Sequence, residues 1–259
     1  MSTHDTAWPD GTPCWVDLMT TDADAAHAFY RELFGWDITP GDESTGFYAM
    51  ATLGGRPVCG IMPRQPGMDH PPVWTTYLAH GDADAAADSI AHAGGTILSP
   101  AMDVMEFGRM AVAQDPTGGT FGVWQAGSHT GFGVSNESGA VVWNELLTRE
   151  YGAALEFYAA VFSYGYTDMS SDQFRYSMIE AEGRTVGGLG TMPPEVPADV
   201  PAHWRTYFAV DDADAAVEMV TKLGGAVLRP PEDMPYGRHA DVADPQGAPF
   251  AVIKPAAGP

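Results

Sequence analysis

The sequence predicts an α+β fold assembled from four copies of one βαβββ plan, two in each half of the chain. Three observations carry this. Segment 15–36, WVDLMTTDADAAHAFYRELFGW, aligns with 143–164, WNELLTREYGAALEFYAAVFSY, so that Trp15 meets Trp143 at an offset of 128 and Asp17 meets Glu145. Later, Trp74-Thr-Thr-Tyr77 matches Trp204-Arg-Thr-Tyr207, and FGRMAVAQDPTGGTF from Phe107 matches YGRHADVADPQGAPF from Tyr236. Within each half a weaker echo appears, since 15–38 and 74–98 both read as strand, Asp-rich turn, alanine-rich helix, glycine, strand.

The elements follow in order from local chemistry. Ala26, Phe29, Tyr30 and Leu33 fall at i, i+3, i+4, i+7, which gives a helix with one buried face; Ala154, Phe157, Tyr158 and Val161 repeat it, as do Ala216, Met219, Val220 and Leu223. Asp22, Asp82 and Asp212 stand where N-caps accept an orphan backbone N–H, and Gly35, Gly94 and Gly224 stand where helices stop. In the second half Glu150 replaces Asp22, so that helix loses its aspartate cap. Short runs such as FYAMATL from Phe47, RPVCGIM from Arg56 and TFGVW from Thr120 read as strands. Proline-rich segments 62–72 and 192–203 join the units of each half, and the Gly/Ser-rich segment 126–140 separates the halves. The expected domains are 1–130, with units at about 12–66 and 72–126, and 131–259, with units at about 140–195 and 202–255.

Composition narrows the function. With 12 Lys+Arg against 34 Asp+Glu, the formal charge of −22 repels polyphosphates, so nucleic acid is excluded as a partner. No run approaches the roughly 18 apolar residues of a membrane span, no leader pattern precedes Trp15, and Cys14 and Cys59 form no disulfide framework; the expectation is a cytoplasmic protein without a membrane partner. GxSxG, P-loop and strand-associated GxGxxG motifs are missing, which removes hydrolase, NTPase and Rossmann readings.

The paired βαβββ units, the AFYRELFGW helix end and the DPTGGTF and DPQGAPF turns resemble the vicinal oxygen chelate (glyoxalase/bleomycin-resistance/extradiol dioxygenase) superfamily over nearly the whole chain, and most closely its two-domain actinobacterial glyoxalase-like and hydroxylase-like members. The resemblance implies two curled sheets with helices outside and a ligand in each cup. Metal-dependent members place His or Gln on the first strand of each unit and Glu on the last. Carried onto this sequence, those places hold Trp15, Thr75 and Gly122 in the first half and Trp143, Arg205 and Ala251 in the second. The expectation is therefore no metal and no cofactor.

Strand alternation sends Trp15, Asp17 and Met19 to one face and Val16 and Leu18 to the other, and likewise groups Trp143, Glu145 and Leu147. A carboxylate bordered by tryptophan in both halves makes Asp17 and Glu145 candidate general bases, although pairing with Arg109 and Arg238 would equally account for them. His239, which has no counterpart in the first half, is a third catalytic candidate. Trp15, Tyr48, Trp74, Tyr77, Trp124, Trp143, Tyr176, Trp204 and Tyr207 are candidate walls for a planar ligand, with Arg109 and Arg238 as its anion partners. Together with the resemblance, whose two-domain members include polyketide-pathway accessory proteins, these walls imply metal-independent handling of a small aromatic or polyketide-like molecule, by an isomerase-, cyclase- or hydroxylase-type tailoring enzyme of secondary metabolism. A non-catalytic binding or drug-sequestering protein, and a metal-dependent lyase or dioxygenase, are the alternatives. Four units in one chain allow a monomer, and a homodimer stays open.

Overall fold

Capping by aspartate and stopping by glycine set the helices where the periodicity puts them. In the computed structural model, which describes residues 2–65, 67, 71–172 and 174–256, the helices are α1 (Ala23–Phe34), α2 (Ala83–His92), α3 (Tyr151–Phe162) and α4 (Ala213–Lys222). Asp22, Asp82 and Asp212 each accept a backbone N–H from the first turn, whereas Glu150 before α3 makes no such bond. Gly35 ends α1 in the left-handed region at φ 70°, where a side chain would be strained. Part of the 62–72 connection, residues 66 and 68–70, lies outside the described residues.

The strands of the first half are β1 (Ser2–Thr3), β2 (Pro13–Thr20), β3 (Asp37–Thr39), β4 (Ala49–Leu53), β5 (Arg56–Pro63), β6 (Val73–Ala79), β7 (Thr96–Val104), β8 (Gly108–Gln114) and β9 (Thr120–Ala126). Those of the second are β10 (Val134–Ser135), β11 (Val141–Thr148), β12 (Gly165–Asp168), β13 (Tyr176–Ala181), β14 (Arg184–Thr191), β15 (His203–Ala209), β16 (Ala226–Met234), β17 (Gly237–Ala243) and β18 (Pro249–Pro255). The first cup runs β3-β4-β5-β2-β6-β9-β8-β7 and the second β12-β13-β14-β11-β15-β18-β17-β16. In each, the first strands of the two units pair antiparallel at the centre, with Asp17 opposite Thr75 and Glu145 opposite Arg205. A single bridge, His203 to Thr120, joins the two cups into one 16-stranded sheet. The result is the α+β, curled-sheet arrangement that the sequence predicts. No helix among the described residues is long and apolar enough to cross a membrane.

The apolar faces do not close within each half. Phe29 and Phe34 of α1 pack on Phe250 and Phe208 of the second half, and Phe157 and Phe162 of α3 pack on Phe121 of the first. One core cluster accordingly spans Cys14 to Val252, and the other spans Leu78 to Trp204. Each first-unit helix is wedged between its own sheet and second-unit strands of the other half, so both halves must be present for either helix to bury its stripe.

The repeated DP turns gain their meaning here. Asp115 Oδ1 accepts from the Thr117 and Gly119 N–H groups at 2.7 and 3.0 Å, closing the turn, while its Oδ2 accepts from Tyr158 of α3 at 2.9 Å. Asp244 does the same with Gln246, Ala248 and, at 3.1 Å, Tyr30 of α1. Trp204 and Trp74 in turn donate to these two tyrosine hydroxyls. The motif is thus a buried polar latch between halves. Tyr158→Phe strands Asp115 Oδ2 and the Trp204 indole N–H, and an equilibrium urea titration is expected to show a loss of about 1–3 kcal/mol.

Candidate active site

The register decides which candidates meet. Trp15 lies opposite Tyr77 and Asp17 opposite Thr75, so these four share the concave face of the first cup, whereas Val16 and Leu18 enter the core beneath the helices. β9 runs parallel to β6 with Gly122 beside Tyr77, and Trp124, two residues on, shares that face. A Cβ at Gly122 would stand 2.1 Å from the Tyr77 ring, and one at Gly60 would stand 1.8 Å from Tyr48 Oη and 2.3 Å from Asp17 Oδ1. Glycine at these two places is what lets the tyrosines lie flat on the sheet and converge on the carboxylate.

Asp17 is buried, with its Oδ1 accepting from the Trp15 indole N–H at 2.9 Å and from the Tyr48 hydroxyl; Tyr77 is a further donor. Trp15 also donates to Tyr48 Oη at 2.9 Å. Among the described residues no cation pairs with this carboxylate. Burial pushes it up from 3.8 to about 6, against the three hydrogen bonds that favour the ionised form. The same burial, reinforced by the neighbouring Asp17 charge, raises both tyrosine hydroxyls well above their usual range. Neutral phenols held against a carboxylate that titrates near neutrality form a set able to accept and pass on a proton.

The second cup keeps this geometry with different electrostatics. Tyr176 and Tyr207 donate to Glu145 at 2.9 and 2.7 Å, and Trp143 donates to Tyr176 Oη at 3.1 Å. Arg205, standing where the first cup has Thr75, reaches Glu145 Oε1 at 2.9 Å with one nitrogen and Asp241 with another. His239 and Asp241 alternate onto the same face of β17, where β8 of the first half carries Met110 and Val112. Burial lowers the His239 pKa below the usual histidine value, partly offset by Asp241 and Glu232.

Four candidates are placed elsewhere. Trp74 pairs with Leu18 and Trp204 with Leu146, which turns both indoles toward the helices, where they bond Tyr30 and Tyr158. They are core residues and line neither cup. Arg109 is held by Asp84 of α2 and by Asp103, and Arg238 by Asp214 of α4 and by Asp233. These arginines tie each second-unit helix to its sheet; neither pairs with Asp17 or Glu145, because odd and even positions of β8 and β17 face opposite ways. Trp15, Tyr48, Tyr77, Trp124, Trp143, Tyr176, Tyr207, Asp17, Glu145 and His239 do come together in the two cups.

Residues beyond those candidates contribute. His129, from the segment between the halves, stacks edge-on against Trp15 with ring centres 4.3 Å apart, and its carbonyl accepts from Trp124. Desolvation pushes it down to about 4, so it is neutral at physiological pH. A Gly/Ser-rich connection gave no sign of lining a site. Arg205 and Asp241 were legible in principle, since each alternates in phase with a cup residue, Tyr207 and His239 respectively. Surface clefts lie between α1 and α4 and beside the 128–133 segment, and neither reaches Asp17 or Glu145.

Divalent metal is the group that this architecture implies, and the donors do not suit one. Around Asp17 stand Trp15, Thr75 and Gly60, none of which offers imidazole or a second carboxylate, and the one imidazole of this cup, His129, lies against the Trp15 ring. Around Glu145 the guanidinium of Arg205 already lies between two carboxylates and would repel a dication. Among the described residues no group of three or more His, Cys, Asp or Glu is arranged to hold a metal ion.

Comparison with known proteins agrees with this architecture. The family model described as Glyoxalase/Bleomycin resistance protein/Dioxygenase superfamily matches twice, at residues 14–123 and 140–252. The chain is 46% identical over 252 residues to CFP32 of Mycobacterium tuberculosis, whose name assigns it as a glyoxylase only provisionally, with 95% of each chain covered. It is 37% identical over 263 residues to the anthracycline biosynthesis protein DnrV of Streptomyces peucetius, covering 96% of this chain and 95% of that one. In fold it is similar to the 2,3-dioxygenase LapB of Pseudomonas sp. KL28, at TM-score 0.66 and 15% identity over 96% of this chain and 94% of that one. The Mn(II)-bound glyoxalase of Novosphingobium aromaticivorans superposes at TM-score 0.64 and 16% identity, over 94% of this chain and 82% of that one. With both halves matched and the duplicated cups in place, the chain belongs to the glyoxalase/bleomycin resistance protein/dioxygenase superfamily, the vicinal oxygen chelate proteins.

Proposed function

We propose that the first cup is a metal-independent proton-transfer site for a planar aromatic, polyketide-like molecule carrying an enolisable ketone or a phenol. One observation carries the reading: Asp17 is buried among Trp15, Tyr48 and Tyr77 without a cation, and its carboxyl titrates at about 6. A base of that strength is ionised at pH 7 yet holds a proton well enough to return it, which is the compromise that general base catalysis requires. Tyr48 and Tyr77, kept neutral, would each turn their one hydroxyl proton from Asp17 to the oxygen on which negative charge develops. Trp15 and Trp124, with His129 set edge-on against both, supply a desolvated aromatic wall. Because Asp17 is closed off from solvent, the ligand enters by displacing rim side chains, and the exposed Phe47, Met102, Met105 and Phe107 of this half are apolar and adaptable. Similarity to a protein named for anthracycline biosynthesis supports a polyketide-derived substrate, and the buried free thiols Cys14 and Cys59 suit a reducing cytoplasm.

Anthrone, a planar tricyclic ketone with an exchangeable methylene, tests the reading. The protein in deuterated buffer is expected to accelerate deuterium uptake into anthrone, with a rate rising as pH passes upward through about 6 and with a loss of roughly 10²- to 10⁴-fold in Asp17→Asn. Quenching of tryptophan fluorescence by anthrone without any acceleration would instead establish the binding-protein reading, which the full complement of hydrogen bonds on Asp17 Oδ1 favours.

A further inference from the structure

We propose that the second cup is a separate binding site for a protonated amine borne on an apolar, aromatic body. The case is one of charge and unmet hydrogen bonds, and it stands apart from the proton-transfer reading of the first cup. Arg205 brings one positive charge between two carboxylates, Glu145 and Asp241, whose side chains are only 8% and 15% exposed. His239, lowered by burial, adds no charge at neutral pH. The group therefore retains one uncompensated negative charge, in surroundings where such a charge is costly unless a cation joins it.

The open positions are specific. Glu145 is satisfied by Tyr176, Tyr207 and Arg205, but the second oxygen of Asp241, Oδ1, is buried without a partner, and so is Nε–H of Arg205. An ammonium group would donate to Asp241 Oδ1, and a hydroxyl on the adjoining carbon would accept from Arg205 Nε. Aromatic surface lies beside this pair: Arg205 lies 5.4 Å from the Tyr207 ring centre, and Tyr176, bonded to the same Glu145, stands 6.4 Å from the exposed Phe174 and near the exposed Tyr236. Such faces favour both an organic cation and the flat body that carries it. Glu232, bonded to Arg229 and 3.8 Å from His239, adds negative potential at the edge. The first cup differs in its lining, with Thr75, Met110 and Val112 in place of Arg205, His239 and Asp241, and its one carboxylate, Asp17, already accepts from Trp15, Tyr48 and Tyr77.

Isothermal titration with naphthylethanolamine and with its N-acetyl derivative, which has the same body and no charge, tests the proposal. The amine is expected to bind at least tenfold more tightly than the acetamide. Asp241→Asn should erase that preference while the acetamide affinity stays within twofold, and Asp17→Asn in the other cup should leave the preference intact. Should Asp241→Asn fail to fold by near-ultraviolet dichroism, Glu232→Gln carries the same comparison, with a two- to threefold loss confined to the amine. Equal binding of the two probes, no binding of the amine at millimolar concentration, a preference that survives Asp241→Asn, or one that vanishes in Asp17→Asn would each overturn the proposal. Loss of anthrone exchange in Asp17→Asn with an intact amine preference would separate the two cups cleanly.

Discussion

Asp17→Asn is expected to be more stable than the unmodified protein above pH 6. The carboxyl is raised from 3.8 to about 6 in the folded protein, so between those values the folded state binds more protons than the unfolded one and stability falls as pH rises. At about 1.4 kcal/mol per pH unit, keeping Asp17 ionised and buried costs about 3 kcal/mol once the pH is well above 6. Asparagine removes the charge and keeps an oxygen to accept from Trp15 and Tyr48, though its amide group needs partners of its own. The net gain expected is about 1–3 kcal/mol, or roughly 2–8 °C in Tm at pH 8, shrinking toward zero or reversing near pH 4. Thermal melts of both proteins across that range measure it. Stability given up at one residue and returned by its substitution is the pattern expected of a functional site.

The second large effect has the opposite sign. Arg205→Met leaves Glu145 and Asp241 buried side by side with no cation between them, and such a removal costs about 3–5 kcal/mol at neutral pH. Adding Asp241→Asn is expected to recover a large part of this, because one of the two stranded charges is then gone. Chemical denaturation of the single and double variants at pH 7 measures the coupling; strictly additive losses would show that the triad does not act as a unit. Thr75 occupies the matching place in the first half, where Asp17 faces no second carboxylate across the pair.

Duplication made the architecture legible. Trp15 with Trp143, the aspartate caps and the DP turns each appear twice in the sequence at matching intervals, and period-two alternation put Asp17 and Glu145 on the concave faces before any register was known. The same alternation, applied to β6 and β15, would have removed Trp74 and Trp204 from the ligand walls, because the face of a strand is fixed by its partner: Trp74 lies opposite Leu18, and Leu18 is core. Arg109 and Arg238 could not be placed from sequence, since their partners Asp84 and Asp214 sit on helices whose docking depends on tertiary packing. Nor could the crosswise core. A helix stripe states that a face is buried and is silent on which half covers it; the contacts of Phe29 with Phe250 and of Phe157 with Phe121 exist only once both sheets are formed. His129 was hidden for a similar reason, as its glycine-rich surroundings resemble a plain connection until the segment folds back on Trp15.

The two cups differ at matching positions. In the first, the carboxylate of Asp17 is set among aromatic donors; in the second, the equivalent carboxylate, Glu145, is also bonded to Arg205.

A pH titration of the Asp17 side-chain carboxyl carbon by NMR, assigned by its disappearance in Asp17→Asn, tests the central claim most directly. The cation-free burial of Asp17 predicts a midpoint near 6; a midpoint at or below the ordinary aspartate value of about 3.9 would mean that the carboxylate is stabilised by charge or solvent, and would contradict its assignment as the base of the first cup.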